Sequence, residues 1–222
     1  LSASPALRLG VVGIGFGQHV HVPAFRSDER VTVGAICASS HARAAAVAER
    51  LAIPRAYGDW TALVADPEID AVAISVPPVL QPAIAIAAAA AGKHVFCEKP
   101  VAQDAVQAAA MLAGARAAGV VHAVDFEFRA TPVWQRAKAI CDARTLGAIR
   151  HAAVSWQVET FAYRRAVDSW KRRADDGGGT LNLFVSHSID YIEWLLGPIR
   201  RVAARFAPAG ASAVALVDAW FE

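Results

Sequence analysis

Short runs of β-branched and aliphatic residues alternate with longer helical patterns through the first half of the chain. Arg8–Val12, Val31–Cys37, Ala71–Val76, Val95–Cys97 and Val120–Phe126 are apolar runs of strand length, set off by glycine, proline, serine or charge. Between them, His41–Leu51, Ile84–Ala91 and Asp104–Ala118 have the length and alanine content of helices. A further helical pattern runs toward Phe25, with Pro23 in a kink or a late turn. Repeated β-α units of this size predict a doubly wound parallel sheet covered by helices on both faces. All strands of such a sheet finish on one rim, so Gly13, Ser39, Pro77 and Lys99 are expected side by side there.

Past residue 126 the pattern changes. Pro132–Ala143 predicts a linking helix and Ala148–Gln157 the first long strand of a new sheet. Asp175–Gly179 predicts a turn into a helix that runs through Leu196 and stops at Gly197-Pro198, and Ala213–Phe221 predicts another strand. The expected division is 1–126 and 127–222.

Composition excludes more than it selects. The 222 residues are 55% hydrophobic and 19% charged, below the usual figure of about 25% charged, which describes a soluble globular chain with ample core. A net charge of +2 leaves no footprint for nucleic acid. Cys37, Cys97 and Cys141 are odd in number and far apart, which fits neither a disulfide framework nor a metal site; reduced thiols in a cytoplasmic protein are expected. Leu1–Leu9 lacks the apolar core of a signal peptide, and Ala83–Ala91 is far short of the roughly 20 residues of a membrane span, so no membrane partner is expected.

The chemistry begins at Gly13-Ile14-Gly15-Phe16-Gly17-Gln18, directly after the first strand. Gly13 permits a tight turn, Gly15 and Phe16 present main chain to a pyrophosphate, and the following helix offers its positive end. The third glycine of the dinucleotide fingerprint is replaced by Gln18, while Gly17 comes one residue early. Looser helix–sheet packing, or a shifted pyrophosphate, is the expected result. At the end of the second strand stand Ala38, Ser39 and Ser40, then Arg43, with no carboxylate before Glu49. An acid there would bind the ribose 2′-hydroxyl of NAD, whereas hydroxyls and a guanidinium suit a 2′-phosphate, so NADP is expected and NAD remains open. Ser39 and Ser40 equally suit a helix cap, and both roles can hold together.

Gly92-Lys93-His94-Val95-Phe96-Cys97-Glu98-Lys99-Pro100 reads as a turn, a buried strand and a charged tip. Successive strand side chains point to opposite faces, so Glu98 and Lys99 cannot share one. A lysine aimed into the rim crevice beside a cationic nicotinamide would have its pKa lowered by repulsion and desolvation, toward values useful in proton transfer. The plainer reading is a solvated Glu-Lys pair at a strand end.

Taken in order, the glycine loop with His21, the Gly92–Pro100 stretch, and Gly177-Gly178-Gly179-Thr180 with His187 and Asp190 resemble the Gfo/Idh/MocA oxidoreductases, from about residue 8 to 205. The resemblance implies a nucleotide-binding Rossmann domain followed by an α+β substrate domain with an open, mainly antiparallel sheet. It implies oxidation of a secondary alcohol of a sugar or cyclitol, or reduction of the matching ketone, with NAD(P). Lys99 would carry the proton-transfer role, with Val76, Pro77, Gln81 and Glu98 near the cofactor. His187 would contact the substrate hydroxyl, though a packing histidine is the alternative. Relatives place an aspartate four residues before that histidine, where this chain has Leu183; Asn182 is about 100° away round a helix and substitutes only if the helix bulges. Arg129, with Glu127, would line the pocket or form a boundary ion pair. Tyr163, Asp168, Trp170 and Lys171 would fold over the substrate, while Trp156, Trp170 and Trp194 suit a core or interface. Relatives continue beyond Glu222 through further strands, so a second-domain sheet ending here would expose an edge and favour a homo-oligomer. A rival expectation, motivated by Leu183, is a non-catalytic sugar-responsive regulator of the same fold.

Overall fold

β1 (Leu7–Val12) lies within a six-stranded parallel sheet, paired with β2 (Val31–Cys37) on one side and β4 (Ala71–Ile74) on the other. With β3 (Arg55–Tyr57), β5 (His94–Glu98) and β6 (His122–Asp125), the strand order is β3-β2-β1-β4-β5-β6. The chain winds outward from β1 in one direction, then restarts at β4 in the other. That reversal opens a crevice between the carboxyl ends of β1 and β4, which is where open α/β sheets take ligands. The computed structural model describes residues 6–159, 164–165, 167–207 and 216–221, and the chain separates into two compact units, Leu1–Asp125 and Phe126–Glu222.

Strand alternation sorts the first core into two layers. Leu9 and Val11 pack with Val22 of α1 (Val22–Arg26) and with Val47 and Ala48 of α2 (His41–Leu51). Val12 faces the other way, toward Leu63 of α3 (Trp60–Ala65), Ile84 and Ala88 of α4 (Gln81–Ala90), and Met111 of α5 (Ala105–Ala118). Each fully buried aliphatic side chain contributes about 1.5–3 kcal/mol. Helix starts are capped by the residue types that satisfy free N–H groups: Ser40 accepts from Arg43 N, Asp59 from Thr61 N at 2.9 Å, and Asp104 from Gln107 N at 2.8 Å.

The five expected strands are present, β2 with the expected bounds and the other four with shifted ends, and β3 with α3 is an additional unit. Pro23 follows the helical turn Gly17–His21, which runs directly into α1, and so lies in a late turn of the continuous helical stretch 17–26, while α4 begins at Gln81, three residues earlier than its pattern suggests. No described helix is long and apolar enough to cross a membrane.

The second unit contains α6 (Pro132–Asp142), α7 (Ser186–Leu196), and an antiparallel pair, β7 (Val202–Ala207) with β8 (Leu216–Phe221). The strand expected over Ala148–Gln157 is not found: 148–157 carries no ladder. A run of β-formers becomes a strand only by pairing, and β7 and β8 pair with each other. Tyr163, 213–215 and Glu222 lie outside the described residues.

Candidate functional site

Gly13 turns the chain out of β1 with φ of +112°, a conformation that side chains with a Cβ rarely adopt. A Cβ there would overlap the carbonyl of Ser75 at the end of β4, with the carbonyl carbon only 2.7 Å away. Gly15 is the reverse case, for a Cβ there would meet nothing within 4 Å. The loop is thus pressed against β4 on one side and bare on the other, which is what close approach of a phosphate requires. Beside it, Ser75 Oγ is buried with no hydrogen-bond partner among the described residues. The residues present therefore fit a dinucleotide.

Gly17, not residue 18, makes the close helix–strand contact: its Cβ position lies 3.0 Å from Val11 Cγ1. The helix then opens with a wide π turn over Gly17–His21, in which Val22 N–H reaches Gly17 O. Such a turn holds one more residue than an α turn. It restores the phase that the early glycine displaces, so packing is not loosened, and Val22 is 2% exposed. Gln18 is bonded to Ile14 O and to Arg50, and Phe16 is half exposed at the loop tip.

At the end of β2, Arg43 Nη1 donates to Ser39 Oγ at 2.6 Å, and both side chains are exposed. Ser40 is the helix cap. The capping and anion-binding readings therefore fall on different serines. Val76 and Pro77, half-buried after β4, stand beside the loop; the Cβ position of Gly13 lies 3.3 Å from Val76 Cγ1.

At the end of β5 the alternation holds. Val95 and Cys97 enter the α3–α5 layer, while Phe96 packs against the other. Glu98 turns inward: Oε1 accepts from His21 Nε2 at 2.9 Å, and Oε2 accepts from Lys99 N at 3.2 Å. The expected cofactor contact of Glu98 would thus be made by a carboxylate that already has these two protein partners. Gln81 is engaged likewise. It is 1% exposed, its Nε2 donates to Pro100 O at 2.6 Å, and its Oε1 receives Cys97 Sγ at 3.3 Å. Burial, with the nearby Glu98 charge, pushes the Cys97 thiol up to about 12, so it is not a nucleophile near neutrality. Lys99, half-buried and followed by a cis bond to Pro100, stands between two anchored neighbours.

Sequence reasoning missed what His21 does. It is 2% exposed, with Nε2 also 3.5 Å from Asp125 Oδ2 at the end of β6. Burial alone would lower its pKa, but hydrogen bonds and charge from Asp125 and Glu98 outweigh this and raise it to about 9. The only cue was a histidine four residues past the last glycine of the loop.

In the second unit, His187 is 4% exposed among aromatic rings: Phe128 at 4.8 Å, Phe126 at 5.9 Å, and Trp156 stacked at 6.0 Å. Its Nδ1 is 3.8 Å from Glu127 Oε2. Trp156 Nε1 donates to Tyr191 Oη at 3.0 Å. Arg129 grips Asp190 with bonds of 2.9 and 2.6 Å and lies over Trp194, so its guanidinium is spent on an internal ion pair. Asp168 pairs with Arg173 at 2.7 Å, and Trp170 opens a short helical turn whose carbonyl abuts Gly178. The helix does bulge, through a π turn over Leu181–Val185, but the Asn182 amide donates to Gly177 O at 3.1 Å.

Residues 7–126 match the family model described as an oxidoreductase family with an NAD-binding Rossmann fold, and residues 134–220 match the GFO/IDH/MocA C-terminal domain. The chain is 35% identical over 209 residues to an uncharacterised oxidoreductase of Synechocystis, covering 94% of this chain and 56% of that protein. It is 33% identical to the NADP(+) D-xylose 1-dehydrogenase 2 of Haloferax volcanii, covering 89% and 60%. A levoglucosan dehydrogenase solved with NADH and levoglucosan superposes with a TM-score of 0.83 at 26% identity, covering 98% of this chain and 63% of that one. The chain thus spans a little over half the length of these proteins.

Proposed function

The chain belongs to the Gfo/Idh/MocA oxidoreductase family, and from that premise we propose that it is an NADP-dependent oxidoreductase interconverting a secondary alcohol and ketone of a sugar, cyclitol or similar polyol. The observation that carries the reading is the bare main chain at Gly15, beside the crevice between β1 and β4. Gly13, Gly15, Phe16, Gly17 and Gln18 would hold the pyrophosphate, and Val76 and Pro77 would border the nicotinamide. Ser39 and Arg43 would take the 2′-phosphate, supported by their mutual bond on the exposed rim and by the absence of a carboxylate there. Bound NADP would supply the hydride acceptor, and NADPH the donor.

The side chains do the rest. Lys99 Nζ accepts the proton of the substrate hydroxyl in oxidation and returns it in reduction. His187, set rigidly among its aromatic neighbours, orients that hydroxyl. Arg129, Asp168 and Trp170 contribute to substrate binding, Arg129 and Asp168 from their ion pairs with Asp190 and Arg173, and second-domain sheets associate copies of the chain. Leu183 supports a second reading, a regulator that binds nucleotide and sugar without turnover.

Cofactor reduction over a panel of sugars and cyclitols, with NADP and NAD compared, tests the proposal. Turnover should favour NADP, and Lys99→Ala should lower kcat about 10²- to 10⁴-fold while sparing nucleotide binding. Unchanged turnover removes Lys99 from the mechanism, and binding without turnover on any substrate favours the regulator.

A further inference from the structure

We propose that His21 is a positioning residue for Lys99: its imidazolium, clamped between Glu98 and Asp125, fixes the strand end from which Lys99 projects. The inference rests on the proton-transfer role proposed for Lys99, although the clamp itself does not depend on it.

The contacts form a chain. His21 Nε2 is bonded to Glu98 Oε1 at 2.9 Å, and the other oxygen of that carboxylate holds the Lys99 main-chain N–H at 3.2 Å. Asp125, at 3.5 Å from the same nitrogen, ties in the neighbouring strand, which pairs Glu98 with Asp125 in its register. On the far side of Lys99, Gln81 holds the Pro100 carbonyl at 2.6 Å. The main chain on either side of the lysine is therefore fixed, and His21 supplies the link to the glycine-loop helix.

One observation favours a proton over a metal ion between these groups. The three ligand atoms lie within 4.8 Å of one another, which alone would admit an ion. The 2.9 Å separation, however, is that of a hydrogen bond. His21 Nδ1 is buried with no hydrogen-bond partner among the described residues, which does not discriminate, because an imidazolium and a metal-bound imidazole both carry a proton there. Phe16, Phe25 and Phe96 surround the ring at 5.5, 6.1 and 5.5 Å, all steeply inclined to it, and help to bury it. The charged groups facing the imidazole are Glu98 from β5 and Asp125 from β6. Together they raise its pKa to about 9 against burial, so the clamp is charged at neutral pH.

The test has a structural arm and a kinetic arm. In NMR titrations of the wild-type chain, the His21 ring should stay protonated to about pH 8, and Asp125→Asn should lower its midpoint by about one unit or more. Hydrogen exchange at the Lys99 amide should speed up about tenfold or more in His21→Phe and less in His21→Gln, which keeps a donor for Glu98. A ring that titrates near its ordinary value, or a Lys99 amide equally protected in both variants, overturns the proposal. Kinetically, His21→Phe should lower kcat about ten- to a hundredfold with nucleotide Kd held within about twofold. His21→Gln should recover most of kcat and lack any decline in wild-type turnover tied to pH 9. Parallel loss of kcat and nucleotide binding would mark a merely structural histidine and overturn the proposal as well. A wild type with no turnover counts against the oxidoreductase reading, and the NMR and exchange results then decide the clamp by themselves.

Discussion

Gly13 and Gly15 sit two residues apart in one loop, yet their replacement by alanine should damage different things. At Gly13, φ of +112° is strained for any residue with a Cβ, at a cost of about 1–2 kcal/mol. The added methyl also meets the Ser75 carbonyl, which β4 holds because Ser75 N is bonded to Val12 O at 2.8 Å. Overpacking against such an immovable atom adds about 1–3 kcal/mol. Gly13→Ala should therefore destabilise the protein by about 2–5 kcal/mol, lowering Tm by roughly 5–15 °C for a chain of this size. At Gly15 the methyl meets no protein atom within 4 Å, so Gly15→Ala should leave Tm within about 1–2 °C. It should instead obstruct the ligand and weaken nucleotide affinity about tenfold or more. Differential scanning fluorimetry with and without NADP reads both effects: Gly15→Ala loses the ligand-induced rise in Tm, whereas Gly13→Ala loses the baseline. If the two variants melt alike, or if Gly15→Ala keeps full ligand stabilisation, the assignment of a pressed face and a bare face to this loop is wrong.

Two further outcomes follow from buried cations. Lys93 Nζ donates to Asp66 O at 2.8 Å and Ile69 O at 2.7 Å, so Lys93→Met should strip both carbonyls and cost about 2–4 kcal/mol, seen as an earlier urea midpoint; an unchanged midpoint would deny Lys93 that role. His21 has a folded pKa of about 9 against an unfolded value of 6.5, so its stabilisation is fully present below pH 6.5 and is lost as pH rises through 9. At about 1.4 kcal/mol per unit this is on the order of 3 kcal/mol, and urea melts of wild type and His21→Gln should converge above pH 9. Curves that stay parallel from pH 6 to 10 would show that the charge contributes nothing.

The parts of the fold legible in the sequence are those where burial is continuous. β2 reads without ambiguity because Val33 through Cys37 are all buried. β3 does not, because Arg55-Ala56-Tyr57 is three half-buried residues at a sheet edge, with no apolar run to mark it. The Asp59 cap was a usable sign of α3 that periodicity over six residues could not strengthen. The rim position of Lys99 was legible because it directly follows the apolar run of β5. The clamp was not, since His21 and Glu98 are separated by 77 residues and meet only through strand order. For Gln81 and Glu98 the polarity was legible and the internal partners were not, because Pro100, Cys97 and His21 meet them only in the folded chain.

The wide turn at Gly17–His21 makes the spacing of this nucleotide loop a matter of compensation. One position is lost between the glycines and one is regained in the helical turn that follows, so the chain reaches His21 and Val22 in phase with the sheet although the fingerprint's internal rhythm is altered. By the same reasoning, an engineered one-residue insertion before Gly17 belongs with a one-residue deletion inside the turn.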